Sequence, residues 1–416
     1  MTDITMTAPE ATTDGTGAKR SFSEVIVISI GHALTHWYPA TFYVLLPLIG
    51  RELGLSYGEI GTLVTARAIA GTLSTVPGGV LVDSVGRKGL LMALALAWVG
   101  VPYMLMGVTS SYWMLLGCSM LIGIGNNFWH PTAIPTLAQR FPDRKGLVVS
   151  IHAMGGNIGD AIAPFVAGLL LMALSWREVM FVNIVPGIVM SVLILIFLGR
   201  MQIEGKTKAN GQKPTMGDTL RGFGTLLRNR TLILLSMSSA FRSMTQGSLI
   251  AFLPLYLANT MGYKPSIVGT CMMGLQLAGF IAAPIAGHMS DSMGRRNIMV
   301  TSMVMTGIVL FFMAFAGHSP VFVALIAFLG FFLFAIRAVM QAWTLDATPK
   351  GMGGSAIGML FGIQALGTAI GPLVCGILAD RYGLMSTFYF MAGTIIFANF
   401  FIFFLPSEAG RPVKQA

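Results

Sequence analysis

Charge is what this chain lacks. Charged residues fill only 10% of its 416 positions, against about 25% in an ordinary soluble domain, which excludes a water-soluble globular protein. Cysteine is nearly absent: Cys118, Cys271 and Cys375 stand far apart inside apolar stretches, so they read as buried thiols and not as a disulfide framework. No G-x-x-x-x-G-K-[ST] run occurs, which leaves no P-loop to bind a nucleotide. Residues 1–22 hold no apolar run of the kind a cleavable signal carries and read as a disordered cytoplasmic tail. The alternating ten-residue segments of a membrane barrel are missing as well.

What the chain has instead is apolar length. Hydrophobic residues make up 55% of it and mean hydropathy is +0.76. A membrane-crossing helix needs about 20 mainly apolar residues, and such runs fall at 25–48, 58–81, 89–108, 112–136, 147–173, 179–199, 231–257, 265–287, 297–316, 320–344, 354–378 and 385–405. They predict an all-α integral membrane protein with twelve transmembrane helices. Placing the amino terminus in the cytoplasm puts Lys19, Arg20, Arg87, Lys88, Arg140, Arg144, Lys145, Arg295, Arg296, Lys350, Arg411 and Lys414 on that side. Only Arg51, Arg177, Lys264 and Arg381 are left on the other. By the positive-inside rule both termini are cytoplasmic. The net charge of +10 is then a mark of topology, and no nucleic-acid partner is implied.

One sequence is written twice. Gly79 to Lys88 reads GVLVDSVGRK and Gly287 to Arg296 reads GHMSDSMGRR, 208 positions later. At the same offset Pro164 and Gly168 match Pro372 and Gly376, and Gly61 matches Gly269; LPL at Leu46 recurs at Leu253, one residue out of step. A duplication of this extent predicts two pseudo-symmetric six-helix bundles, at 23–199 and 231–406. They are joined by a basic cytoplasmic linker at 200–230 and followed by a tail at 407–416. Within the linker, 216–227 could lie on an anionic leaflet or simply be solvated.

The doubled motif falls in the turn after the second span of each bundle. Its glycines suit close helix approach and an unusual turn, and its Asp can pair with basic groups or cap a helix. With the doubled loop, the twelve spans and the central linker, the chain resembles the major facilitator superfamily over essentially its whole length. The resemblance implies that Asp83, Arg87, Lys88, Asp291, Arg295 and Arg296 act as a gating latch. A finer resemblance lies in GIGNNFWHPTAIPTLAQR and SIHAMGGNIGDAIAP, which are similar to segments of the fosmidomycin resistance group at Gly123, Gly125, His130, Pro131, Gly155, Gly156, Asn157, Gly159 and Pro164. That group follows its span-one His with an Asp four residues on; here His32 is followed by His36.

Polar groups inside the spans carry the remaining information. Arg67, Asp160, Arg242 and Arg337 each cost roughly 2.5 to 3.5 kcal/mol at mid-membrane, so pairing or a wet cavity must offset them. The repeat sets Arg242 opposite Thr35 and Arg337 opposite Trp129, beside His36 and His130. Where two homologous halves rock about a shared site, that site lies near mid-depth between them. The resemblance implies that spans one, four, seven and ten line that site, so Arg242, Arg337, His36, His130, Gln246, Gln341 and Asn126 are expected to bind substrate. Asp160, His32, His36 and Arg67 are expected to handle protons, with Arg67 a possible partner of Asp160. Three arginines against one acid favour an anion, since guanidinium offers planar paired donors to carboxylate or phosphonate oxygens.

The histidines leave alternatives open. His32 and His36 share a helical face, as do His152 and Asp160, and these groups could carry protons, bond across helices or ligate a metal. The neighbouring arginines weigh against a metal site, and no cofactor is expected. The resemblance implies a monomeric, proton-coupled secondary transporter of a bacterial inner membrane, exporting a small organic anion such as fosmidomycin, with protons and the lipid bilayer as its other partners. Uptake of a carboxylate or phosphonate, transition-metal transport through the span-one histidines, and a non-transporting sensor are the alternatives. An enzyme is not expected, because the polar residues sit at matched mid-depths in both copies and do not converge at one interface.

Overall fold

The computed structural model describes residues 21–199, 224, 226–317, 319–349 and 352–405. The expected tails at 1–22 and 407–416 and most of the linker at 200–230, with its segment 216–227, lie outside the described residues, apart from Ser21, Phe22, Gly224 and 226–230. Every regular element among the described residues is helical. In hydrocarbon each backbone N–H and C=O must be satisfied within the segment, which a helix does.

The first half contains α1 (Phe22–Leu53), α2 (Tyr57–Ser84), α3 (Lys88–Val108), α4 (Tyr112–Asn127), α5 (Trp129–Arg140), α6 (Lys145–Leu170) and α7 (Trp176–Leu198). The second contains α8 (Arg230–Leu255), α9 (Pro265–Met293), α10 (Arg295–Ala316), α11 (Pro320–Asp346), α12 (Gly353–Tyr382) and α13 (Met385–Phe403). Eight of these helices are long and apolar enough to cross a bilayer. The expected fourth span, 112–136, is two helices meeting at Phe128, which keeps helical dihedrals (φ −78°, ψ −19°). Pro131 has no N–H for the Asn127 carbonyl, and its ring crowds that carbonyl, so the ladder breaks there. Counting α4 and α5 as one span gives six spans per half.

Starts and stops follow local chemistry. Ser56 with Glu59, and Ser175 with Glu178, form reciprocal capping boxes at the heads of α2 and α7, satisfying backbone donors that would otherwise be orphaned. Gly54 ends α1 at φ 64°, and Gly262, its counterpart 208 positions on, ends a π-turn after α8 at φ 66°. A side chain at either would cost about 1–2 kcal/mol in that left-handed conformation.

The duplication extends to individual contacts. A Cβ built on Gly159 would stand 2.1 Å from the Ala33 carbonyl oxygen, and one on Gly367 2.1 Å from that of Ala240, so α1–α6 and α8–α12 cross alike. Gly123 meets the Arg67 carbonyl at 2.1 Å and Gly330 that of Leu275 at 2.0 Å, repeating α2–α4 as α9–α11. Without a hydrophobic driving force between helices in lipid, small residues at such crossings let dispersion contacts accumulate. These pairs fix the register: Gly123 and Gly330 are 207 apart, which makes Arg337 the counterpart of His130, not of Trp129. The motif glycines behave otherwise than expected. Gly79, Gly86 and Gly287 have open space where a Cβ would go; Gly294 alone of these turns at positive φ, 89°.

The halves meet along α2–α12 and α6–α9, one contact written twice. Gly61 would place a Cβ 2.4 Å from the Pro372 carbonyl oxygen, Gly269 2.3 Å from that of Pro164, Gly376 2.4 Å from that of Tyr57, and Gly168 2.5 Å from that of Pro265. At this same end Asp380 accepts the backbone N–H groups of Tyr57 and Gly58, each at 2.8 Å, so the last turn of α12 caps α2 across the interface. Arg51 donates to Asn259 at 3.3 Å and Thr65 to the Ala369 carbonyl at 2.6 Å. These hydrogen bonds join the halves and gather towards the α1–α2 turn. Replacing Gly269 by valine is expected to disfavour this closure by about 1–3 kcal/mol of overpacking, a 5- to 150-fold change in its population. Distance distributions between spin labels on the α1–α2 and π-turn segments measure it; an unchanged distribution contradicts it.

Candidate functional site: a polar crevice between the halves

Four imidazoles from three helices gather on the wall supplied by the first half. His32 and His36 come from α1, His130 from the first turn of α5, and His152 from α6. His32 stacks on His152 with ring centroids 3.9 Å apart and planes 11° from parallel. It meets His36 at 4.7 Å and His130 at 4.9 Å edge-on. The close α1–α6 crossing brings them together: Gly156 lies under the His32 ring, where a Cβ would come within 2.6 Å. His32 donates its Nδ1–H to the His152 carbonyl at 2.6 Å. His36 Nδ1 lies 2.9 Å from Asp160 Oδ2, and both side chains are 27% exposed.

The expected pairing of Arg67 with Asp160 is corrected here. Arg67 does not pair with Asp160: it donates to the Tyr43 hydroxyl and lies over that ring, 4.9 Å from its centroid, because the α2–α4 crossing directs it towards the middle of α1. Asp160 takes His36 instead. His32 is buried and held by a carbonyl, so it does not stand open in the crevice.

The second half presents its arginines differently from one another. Arg242 is 2% exposed and donates to Gln246 Oε1 at 2.8 Å and to the Leu333 carbonyl at 3.4 Å; it lies inside the half-bundle and does not wall the crevice. Gln246 is thereby engaged as its acceptor. Arg337, on α11, is exposed and has no hydrogen-bond or ion-pair partner among the described residues. His130 and Arg337, both exposed, occupy equivalent positions of the two halves. Gln341, one turn beyond Arg337, is half-buried. Asn126 is also half-buried, and its Oδ1 has no partner.

The gating set divides. Arg295 reaches Asp291 at 2.5 Å, Asp346 at 3.2 Å and Ser290 at 2.6 Å, tying the α9–α10 turn to the end of α11. Arg296 donates to the Phe403 carbonyl at 2.9 Å. In the first half Lys88 is buried and donates to the Val82 carbonyl, Arg87 is exposed, and the side chain of Asp83 lies outside the described residues. There Arg140 grips Glu24 with two hydrogen bonds, at 3.0 and 2.6 Å. Sequence reasoning missed Asp380, Tyr43, Glu24 and Asp346. The repeat maps Asp380 onto Met172, so symmetry gives no hint of its capping role. A groove of about 600 Å³ between α10 and α13 is lined mainly by apolar side chains such as Phe311 and Phe400 and lies apart from this polar set.

The family profile of the Major Facilitator Superfamily matches residues 28–264 and again 235–416. The chain belongs to the major facilitator superfamily. Among relatives, the multidrug resistance protein MdtG of Proteus mirabilis (strain HI4320) is 26% identical over 85% of this chain and 88% of its own length. The phosphoglycerate transporter protein of Salmonella typhimurium (strain LT2) is 22% identical over 93% and 89%. The cis,cis-muconate transport protein of Acinetobacter baylyi (strain ADP1) is 24% identical over 83% and 86%. A solved bacterial homologue of the human lysosomal transporter Spinster, inward-facing and occupied, shares the fold with a TM-score of 0.77 at 16% identity, covering 92% of this chain and 96% of its own. The nucleoside transporter NupG does so at 0.75 and 15%, covering 92% and 99%. This major facilitator protein is a transporter of small substrates and not an enzyme.

Proposed function

We propose that the protein is a secondary active transporter that moves a small organic anion across the bacterial cytoplasmic membrane by alternating access. The observation that carries this reading is Arg337, a guanidinium within a span that is exposed and has no hydrogen-bond or ion-pair partner among the described residues, at the position equivalent to His130 in the other half. Placing such a charge near mid-membrane is costly, and a carboxylate or phosphonate matches its paired donors. Arg242, held behind it, adds positive potential without touching cargo. Asn126 and Gln341 supply neutral polar contacts, and Gln246 acts through Arg242. With both termini in the cytoplasm the closed end is periplasmic, and the described conformation opens inward. The Arg295 cluster, together with Asp83, Arg87, Lys88 and Arg296, is then the cytoplasmic latch. Asp160, paired with His36, is the proton carrier, and the protein works as a monomer.

Export by proton antiport is the first reading, supported by the resemblance of spans four and five to the fosmidomycin resistance group and by likeness to a multidrug resistance protein. Proton-coupled uptake is favoured by relatives named for phosphoglycerate, muconate, hexuronate and sulfoacetate, all anions. Counterflow in proteoliposomes loaded with carboxylates, phosphonates or organic cations tests the substrate class. Exchange is expected for anions alone; equal exchange of cations contradicts it. An imposed pH gradient of either sign then separates export from uptake.

A further inference from the structure

The imidazole cluster has a property that anion recognition leaves unused. His32 Nε2 and both ring nitrogens of His152 are buried with no hydrogen-bond partner, though an unmet buried polar atom costs about 1–3 kcal/mol. Because a carbonyl can only accept, the bond from His32 to the His152 carbonyl places the proton on Nδ1. The Nε2 lone pair is left free. This is the arrangement by which a backbone acceptor fixes the tautomer of a metal-binding histidine. One donor atom from each of His32, His130 and His152 lies within 4.8 Å of the other two. A tetrahedral ion with bonds of about 2.1 Å holds its ligands about 3.4 Å apart, so rotation of the rings by roughly an ångström at their tips closes the site.

We propose that His32, His130 and His152 form a binding site for a borderline divalent transition-metal ion of the Zn²⁺, Co²⁺ or Ni²⁺ type. Three neutral imidazoles without thiolate or carboxylate select this class over Mg²⁺ or Ca²⁺. His36 is not a ligand; its bond to Asp160 places a carboxylate near the ion, where it offsets positive charge. Arg337 belongs to the opposite half, so its repulsion changes as the halves move. All three ligands come from the first half. Rocking of one half against the other leaves such a site intact, so the ion stays bound through the cycle and is not carried as cargo. Its fourth position opens towards the crevice on the His130 side.

The inference does not rest on the anion reading, and its test has a separate readout. Full-length purified protein is titrated with Co²⁺, and the visible ligand-field bands of a tetrahedral nitrogen site are followed, with Zn²⁺ added to displace the ion. One ion per chain is expected. His130→Asn, exposed and therefore free of core packing, should weaken binding about tenfold or more. His288→Asn, exposed on α9 away from the cluster, should leave it unchanged. Absence of the bands in wild type, equal affinity in His130→Asn, or an equal loss in His288→Asn overturns the site. Anion counterflow measured on the same preparations separates the two readings, since either can fail while the other holds.

Discussion

Replacing Arg337 by glutamine is expected to reduce transport of an anionic cargo about 10- to 150-fold while the protein stays folded. A hydrogen bond to a charged group contributes about 1.5–3 kcal/mol, and that range converts to this factor. Nothing in the fold depends on the guanidinium: it is exposed and unpartnered among the described residues, so glutamine removes charge and little packing. Arg242→Gln differs in kind. That side chain is buried and bonded to Gln246 and the Leu333 carbonyl, so its loss should lower thermal stability as well as transport. Initial rates of anion counterflow, with melting temperatures of both variants, distinguish a contact with cargo from a structural one. Equal anion rates in wild type and Arg337→Gln contradict the assignment.

Asp160→Asn is expected to abolish accumulation driven by a pH gradient while leaving exchange of cargo across the membrane. Asparagine can still hydrogen-bond the His36 ring at the 2.9 Å geometry seen for Asp160, but it can neither take up nor release a proton. A carrier that loses only its proton-linked step equilibrates cargo without concentrating it, so counterflow at equal pH should persist. Accumulation that survives in the variant removes Asp160 from the coupling step. Arg67→Gln serves as a comparison, because its partner is Tyr43 and not Asp160.

Much of the fold was legible because the chain repeats itself. The doubled GRK and GRR loops, and the matched Gly61 and Gly269, Pro164 and Pro372, Gly168 and Gly376, predicted two equivalent bundles. The matched glycines and prolines, unlike the loops, prove to be contacts that bring the halves together. A one-residue slip obscured the pairing of Arg337. An offset of 208 puts Arg337 opposite Trp129, which is buried, whereas the crossings at Gly123 and Gly330 show 207 in that helix and pair Arg337 with His130. Contacts that break the symmetry were not legible. Asp380 caps α2 although its counterpart is Met172, and Arg67 turns to Tyr43 because helix packing, not charge, decides which acceptor it can reach. The stacking of His152 on His32 depends on how closely Gly155 and Gly159 let α6 approach α1, a distance that periodicity does not encode.

The most direct measurement compares a carboxylate cargo with its isosteric amide in counterflow, in wild type and in Arg337→Gln. The two compounds share size and shape and differ in one negative charge. In wild type the acid should be carried about tenfold or more faster than the amide, and in Arg337→Gln that preference should collapse. Equal rates for acid and amide in wild type, or a preference that survives the loss of Arg337, would contradict recognition of an anion by this guanidinium.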